Sequence, residues 1–220
     1  MWQVDDNKII DDFGWSPKGV TLKEGTRECW DDAISGYPFA PDGYNQYFDI
    51  ATENVNVFLG TIVDLYDITN KTVVINSEKK TYDIIISTIS PDIIMDGIHG
   101  ELPYIGRDLE LFVLPVKEVF PENVYFLYYA GKERYTRLVE YKKLTKQNLD
   151  HPTSLISIEY PSKNGKHYPV PIKSEIAKAK KYLDDLPDGI FSIGRAGSYD
   201  YGLDIDDGIE QSMEIVKLLK

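Results

Sequence analysis

Residues 190–220 read IFSIGRAGSYDYGLDIDDGIEQSMEIVKLLK: an apolar strand, a Gly-Arg-x-Gly turn, paired tyrosines, an acidic cap and an amphipathic helix. A strand that enters a helix through glycine and arginine can hold an anion. Glycine lets a ligand approach the backbone, and free N–H groups and a guanidinium answer its charge. The plainer alternative is a strand-to-helix turn whose Arg195 pairs with a nearby acid. Beyond the turn, Ile205, Ile209, Met213 and Val216 share one helical face. Asp204 stands at the N-cap, and Asp206 and Asp207 suit the positive end of the helix dipole.

Working upstream, "IKSEIAKAKKYLDDL" (172–186) places Ile172, Ile176, Ala179 and Leu183 at helical spacing, and Pro187-Asp188-Gly189 ends that helix. Strand patterns fill the middle of the chain. "VNVFLG" (55–60), "TIVDLYDI" (61–68) and "TNKTVVIN" (69–76) come first; Asn70-Lys71-Thr72 reads as a turn. "TYDIIISTIS" (81–90) is a continuous apolar run, the pattern of a strand buried on both faces. "LELFVLPV", "NVYFLYYA", "RLVEYKKL" and "SLISIEY" then follow at hairpin-like spacing, between 109 and 160. "PDGYNQYFDIAT" (41–52) opens a short helix after a turn. The expected class is mixed α/β, with a large, mainly antiparallel sheet and flanking helices.

Composition narrows the chemistry. The 220 residues carry 36 acids and 24 lysines and arginines, a net charge of −12. That balance argues against a nucleic-acid groove, which needs clustered cations. One cysteine, Cys29, forms no internal disulfide and points to a reducing, cytoplasmic setting. The apolar runs are strand-sized, so no membrane span is expected, and the polar stretch after Trp2 is no secretory leader. His99, His151 and His167 are scattered, which argues against a metal site. Neither G-x-S-x-G nor G-x-G-x-x-G occurs.

Two further stretches carry candidate residues. On a strand, Tyr135, Arg137 and Val139 share a face. An inward Arg137 calls for an anion such as a diphosphate; an edge arginine would pair with Glu133 or Glu140 instead. In "NGKHYPVP", Pro169 holds Tyr168 extended, which can aim its hydroxyl; a packed loop tyrosine is the alternative. Sixteen tyrosines suit a pocket for sugars or nucleotide bases, because the ring stacks and the hydroxyl bonds.

In order along the chain, "MWQVDD", "GYPFAPDGYNQYF", "YDIIISTISPDIIMD" with "LPY", "YTRLVEYKKL", "EYP…HYPVP" and "GRAGSYDYGLDID" resemble the UDP-galactopyranose mutase family, in its C-terminal, substrate-side part. The resemblance implies a flavoprotein isomerase of cell-surface polysaccharide biosynthesis. It would interconvert pyranose and furanose forms of a UDP-sugar through a flavin–sugar adduct. It implies three segments: 1–50, mainly helical and substrate-binding; 51–185, sheet-rich, facing substrate and flavin; and 186–220, a strand and helix of an FAD-binding Rossmann-like domain. It implies Arg137, Tyr168 and Tyr201 as catalytic groups on the diphosphate, and Trp2, Trp30 and Tyr135 as further substrate contacts. Gly194, Arg195, Asp204 and Ile205 would lie on the FAD side.

The chain departs from the pattern in three ways. It lacks the glycine fingerprint of the family's N-terminal FAD segment. The family's second arginine falls near Lys23 and Arg27, neither of which aligns with it. One extra residue separates Tyr201 from Asp204. The expectation is therefore a truncated substrate half that binds FAD weakly by itself. An N-terminal FAD-domain chain, a homo-oligomer or a local rearrangement would cover its C-terminal apolar face, namely Ile190, Phe191, Ile193 and the Ile205–Val216 side of the helix. Two other readings stay open: a non-catalytic nucleotide-sugar binding module, and a related FAD-dependent oxidoreductase of the amine-oxidase type.

Overall fold

The structure, a computed structural model, describes residues 38–129 and 132–220. Trp2 and Trp30 lie outside them. The chain forms two compact units. Within the described residues, the first takes in 38–58 and 107–161, and the second 59–106 and 162–220.

The first unit opens with helix α1 (Asn45–Thr52), which follows the expected turn and buries no residue. Its sheet combines the outer part of β5 (Tyr104–Leu114) with β6 (Phe126–Tyr128), β7 (Arg137–Glu140) and most of β8 (Ser154–Ser162), in the order β6-β7-β8-β5. β6 with β7 and β7 with β8 run antiparallel, Arg137 lying opposite both Tyr128 and Glu159. The "RLVEYKKL" strand stops at Glu140. The chain there turns into a short helix, α3 (Tyr141–Thr145), which ends on Lys146 at φ +54°. The break has a cause. The Glu140 carboxylate is fully buried and accepts N–H bonds from Val119 (3.1 Å) and Phe120 (2.9 Å) and the Ser154 hydroxyl bond (2.5 Å). Val139, Ile156 and Phe120 are buried in this unit.

The second unit begins with an antiparallel meander of β1 (Val63–Asp67), β2 (Thr72–Ile75) and β3 (Glu78–Thr81). Asn76 and Ser77 both take positive φ (51° and 65°), as a two-residue hairpin turn of matching twist requires. "VNVFLG" joins no strand among the described residues, and Val55, Val57, Phe58 and Leu59 are exposed. β4 (Ile85–Ser87) pairs in parallel with β10 (Ile190–Ser192). The apolar run around β4 is not buried on both faces: Ile84, Ile86 and Ile89 are exposed, Ile86 at 48%. A strand is buried on both faces only where other layers pack on both, and these side chains of the two-stranded sheet lack that cover among the described residues.

Helix α2 (Pro91–Ile94) follows β4, and α4 (Lys173–Asp184) follows β9 (Tyr168–Pro169), which pairs with the first residues of β5. Ile94, Met95, Leu102, Tyr104, Ala179, Tyr182 and Tyr199 form the core. Helical spacing points to Leu183 as a core residue, but Tyr182 is the fully buried one. Its ring can fill the core because its hydroxyl donates to the Gly100 carbonyl (2.8 Å). The C-terminal element is a short turn of helix, α5 (Gly194–Gly197), then α6 (Ile205–Leu218). Asp204 and Asp207 form a reciprocal capping box at its start, as the N-cap reading expects. Ile190, opposite Ile85 in the two-stranded sheet, is buried within the chain itself. Phe191 and Ile193 are half-buried, while Ile205, Ile209, Met213 and Val216 are exposed. No helix among the described residues is long and apolar enough to cross a membrane.

One buried carboxylate ties this unit together. Asp92 accepts the Leu102 N–H (2.9 Å), the Lys166 ammonium (2.7 Å) and the Ser90 hydroxyl. Burial acts to raise its pKa, but the Leu102, Lys166 and Ser90 hydrogen bonds outweigh burial and hold it below the ordinary aspartate value. Its contribution to stability is therefore complete above the ordinary value and disappears as the pH falls through the lowered one. Asp92→Asn should cost about 2 kcal/mol near neutrality. It should also flatten the acid limb of stability against pH, as read by urea unfolding from pH 2 to 7.

Candidate functional site

The sheet of the first unit presents a polar row. Tyr128, Arg137 and Glu159 face one another across β6, β7 and β8. Arg137 donates from Nε (2.8 Å) and Nη2 to Oε1 of Glu159, and from Nη1 to the Tyr128 hydroxyl (3.2 Å). Its guanidinium lies 5.9 Å from the Phe126 ring centre and 5.6 Å from that of Tyr128. Burial acts to lower its pKa, but the bond to Glu159 and its charge prevail and keep Arg137 above the usual arginine value. Arg137 is thus a permanent cation, pinned on one edge by Glu159 and 27% exposed. The acid that pairs with it is neither Glu133 nor Glu140 but one carried by the neighbouring strand.

Arg107, from β5 on the other side of β8, reaches the same acid, its Nε lying 3.8 Å from Oε2 of Glu159. Tyr135 sits just before β7, with its ring edge-on to Tyr129 (4.7 Å) and Tyr160 (6.4 Å). The Thr136 N–H donates to the Glu159 carbonyl (2.9 Å), which extends the ladder to that aromatic group. The resulting face is a cationic row bordered by tyrosines, able to hold an anion beside a ring or sugar.

A second cluster lies within the other unit. Tyr168, Arg195 and Tyr201 come together there: the Arg195 guanidinium is 5.7 Å from the Tyr168 ring centre and 5.6 Å from that of Tyr201. The two rings are 5.8 Å apart. Arg195 donates from Nε to the Leu203 carbonyl (2.8 Å) and from Nη2 to Asp204 (2.5 Å). The Gly194 N–H donates to the Gln211 side chain (2.7 Å), and the Gln211 amide to Ser198 (3.1 Å). The plainer reading of the Gly-Arg turn thus describes this structure, in which the turn's polar groups bond to α6. Space remains beside Gly194, at φ +72°, where an added Cβ would meet no atom within 4 Å. Ile205, at the start of α6, is 85% exposed.

Tyr168 is aimed by its backbone. It pairs with Ile105 on β5. The loop before it, 162–167, crosses β5 at Gly106, where an added Cβ would fall 1.5 Å from the Asn164 carbonyl oxygen. Lys166 fastens the same loop to Asp92. Sequence reasoning placed Arg137 beside an anion but missed Glu159, Tyr128 and Arg107. Glu159 was visible as the acid of "EYP"; no local pattern joins 107, 128, 137 and 159.

A family model described as UDP-galactopyranose mutase matches residues 1–201. Among solved structures, the crystal structure of reduced UDP-galactopyranose mutase is similar at 17% identity and a TM-score of 0.62. The match covers 79% of this chain and 50% of that one, so the chain spans about half the length of the solved mutase. At this identity the likeness shows a shared fold, with a mixed α/β, largely antiparallel architecture. A Pyrococcus furiosus crystal structure matches at 17% identity and a TM-score of 0.43, covering 72% of this chain and 47% of that one. No curated protein matches.

Removing the shared acid exposes the logic of the row. Glu159→Ala would leave two poorly hydrated guanidiniums without their common counter-charge. It should cost about 3 kcal/mol of stability, the usual order for one partner removed from a buried pair. Chemical denaturation would read the loss, and Glu159→Asp should recover part of it.

Proposed function

Because the chain belongs to the UDP-galactopyranose mutase family, we propose that it is the substrate-side part of a mutase-like flavoprotein, binding a UDP-sugar. The observation that carries this reading is Arg137: a permanently charged guanidinium, oriented by Glu159 and flanked by tyrosines, on a partly open face. In pyranose–furanose interconversion the bond from the anomeric carbon to the diphosphate breaks and re-forms. The group that must be stabilised is the departing diphosphate, and a fixed cation needs no reorganisation to receive it. Arg137 would take that charge, with Tyr135 beside the ligand and Trp2 and Trp30 near the uridine. By the family resemblance, Tyr168 and Tyr201 are proposed as further phosphate contacts.

FAD, when bound, supplies the flavin chemistry of the family. The residues present fit it only in part. Gly194 leaves room for a close approach, and Arg195, Asp204 and Ile205 border that place. The Gly194 N–H and the first turn of α6 are, however, satisfied from within the chain, by Gln211 and the capping box. The sequence also contains no glycine fingerprint. This chain alone would therefore hold FAD weakly. Completion by an N-terminal FAD-domain chain, or by a second copy, is supported by the parallel β4–β10 pair, since parallel sheets are normally covered on both faces. The apolar side of α6, with Ile205 85% and Met213 58% exposed, supports it as well.

A thermal-shift titration decides the central point. UDP or UDP-galactose at about a hundred times its dissociation constant should add about 2.7 kcal/mol and raise the melting temperature by roughly 5–10 °C. FAD alone should add little. Arg137→Ala should abolish the UDP response, and Tyr168→Phe and Tyr201→Phe should weaken it several-fold. A wild-type chain indifferent to both UDP compounds would sink this reading. Interconversion after an FAD-binding half is supplied separates enzyme from binding module.

A further inference from the structure

We propose that Asn164-Gly165 is a modification site, at which deamidation through a cyclic imide rebuilds the main chain where it lies on β5. The site is independent of the UDP-sugar reading, although the loop that holds it carries Tyr168.

Asn-Gly occurs once in the 220 residues. It sits at the bend between β8 and β9, and both residues are exposed. The Asn164 N–H donates to the Ser162 hydroxyl (3.0 Å). Among the described residues, neither the Asn164 side-chain amide nor the Gly165 N–H has a hydrogen bond, so none has to break before these two groups meet. Glycine also has no Cβ to keep its nitrogen from the neighbouring Cγ. The fold holds this residue to glycine: Gly165 has φ +77°, and an added Cβ would stand 3.2 Å from Nε2 of His167.

The reaction needs only water. The Gly165 nitrogen gives its proton to solvent and attacks Cγ of Asn164; the bond from Cγ to the amide nitrogen breaks, and ammonia leaves. Water then opens the imide at either carbonyl. One opening gives aspartate. The other gives isoaspartate, in which the main chain runs through the former side-chain carbon and the former main-chain carbonyl becomes a free carboxylate. That carbonyl is the group packed on β5: a Cβ at Gly106 would fall 1.5 Å from its oxygen and 2.6 Å from its carbon. Isoaspartate puts a charge and a second oxygen into this closed place, without a counter-charge, and lengthens the main chain beside it by one carbon. It therefore lifts the loop, parts Lys166 from Asp92 (2.7 Å) and frees Tyr168 from Ile105. Aspartate leaves the carbonyl where it is, carries its charge in solvent and does none of this.

The test ages the whole folded chain at pH 8 and 37 °C beside Asn164→Gln, whose longer side chain cyclises far more slowly. Cleavage after glutamate releases residues 160–175, which hold a single asparagine, no glutamine and no aspartate. In the wild type this fragment should gain one dalton several-fold faster than any other asparagine-containing fragment, and isoaspartyl methyltransferase should label it. A second urea transition, below the first, should grow in with the label. Asn164→Gln should keep its mass and its single transition, and freshly made Asn164→Asp should unfold as fresh wild type does. A fragment that converts in urea but no faster than the others in the folded chain would overturn the proposal, because the fold would then shield the pair. So would labelled wild type that shows no second transition, or fresh Asn164→Asp as unstable as the aged chain.

Discussion

A carboxylate placed between two arginines is the constraint on which the first unit turns. Glu159 sits on β8 with an arginine from each neighbouring strand. Its position forces the three strands into one register, because a slip by one residue would send the acid to the opposite face. It also makes two desolvated cations tolerable in a small sheet. An arginine near a protein surface is ordinarily mobile, and ordering it costs side-chain entropy. Here that cost is met during folding, through the Nε and Nη2 bonds of Arg137, before any ligand arrives. A site built this way is preorganised for negative charge.

The second unit obeys a related rule with different parts. Its core is rich in tyrosine, and each buried hydroxyl has been given a carbonyl: Tyr182 that of Gly100, Tyr104 that of Ala196, and Tyr199 those of Pro103 and Val170. Burial raises the Tyr104 and Tyr199 hydroxyls well above the usual phenol range, so they stay protonated and act as donors. Asp92 and Lys166 supply the ionic fastening. The same groups that close the core therefore hold the backbone that carries Tyr168.

Much of this could be read from the chain itself. The turn before α1, the turn at Asn70-Lys71 before β2, the Asp204 cap and the run of antiparallel strands each rest on local chemistry: glycine, polar turn residues, and periods of two or 3.6. The family resemblance rests on short motifs kept in order, and the family match extends it over residues 1–201. Failures came where tertiary context decided. "VNVFLG" has strand composition but no described partner, and Leu183 had the right spacing while Tyr182 had the better hydrogen bond. Ile190 is covered by a strand more than a hundred residues upstream. In the candidate site, Arg137 and Tyr168 were visible as single residues with unusual neighbours. Glu159 was visible only as the acid of "EYP", and neither its pairing with Arg137 nor the place of Arg107 could be read, because sheet order is written nowhere in the local pattern of any one strand.

Gly106 has a meaning beyond packing. It bears no functional group and touches no ligand in any reading offered above, yet a single methyl group there would occupy the space of the Asn164 carbonyl oxygen. The loop could then no longer lie on β5, and Tyr168 would lose the strand pairing that aims it. A random-mutagenesis screen for lost function would thus return this glycine alongside the arginines and tyrosines. Its sensitivity would reflect an empty volume that the fold must keep empty.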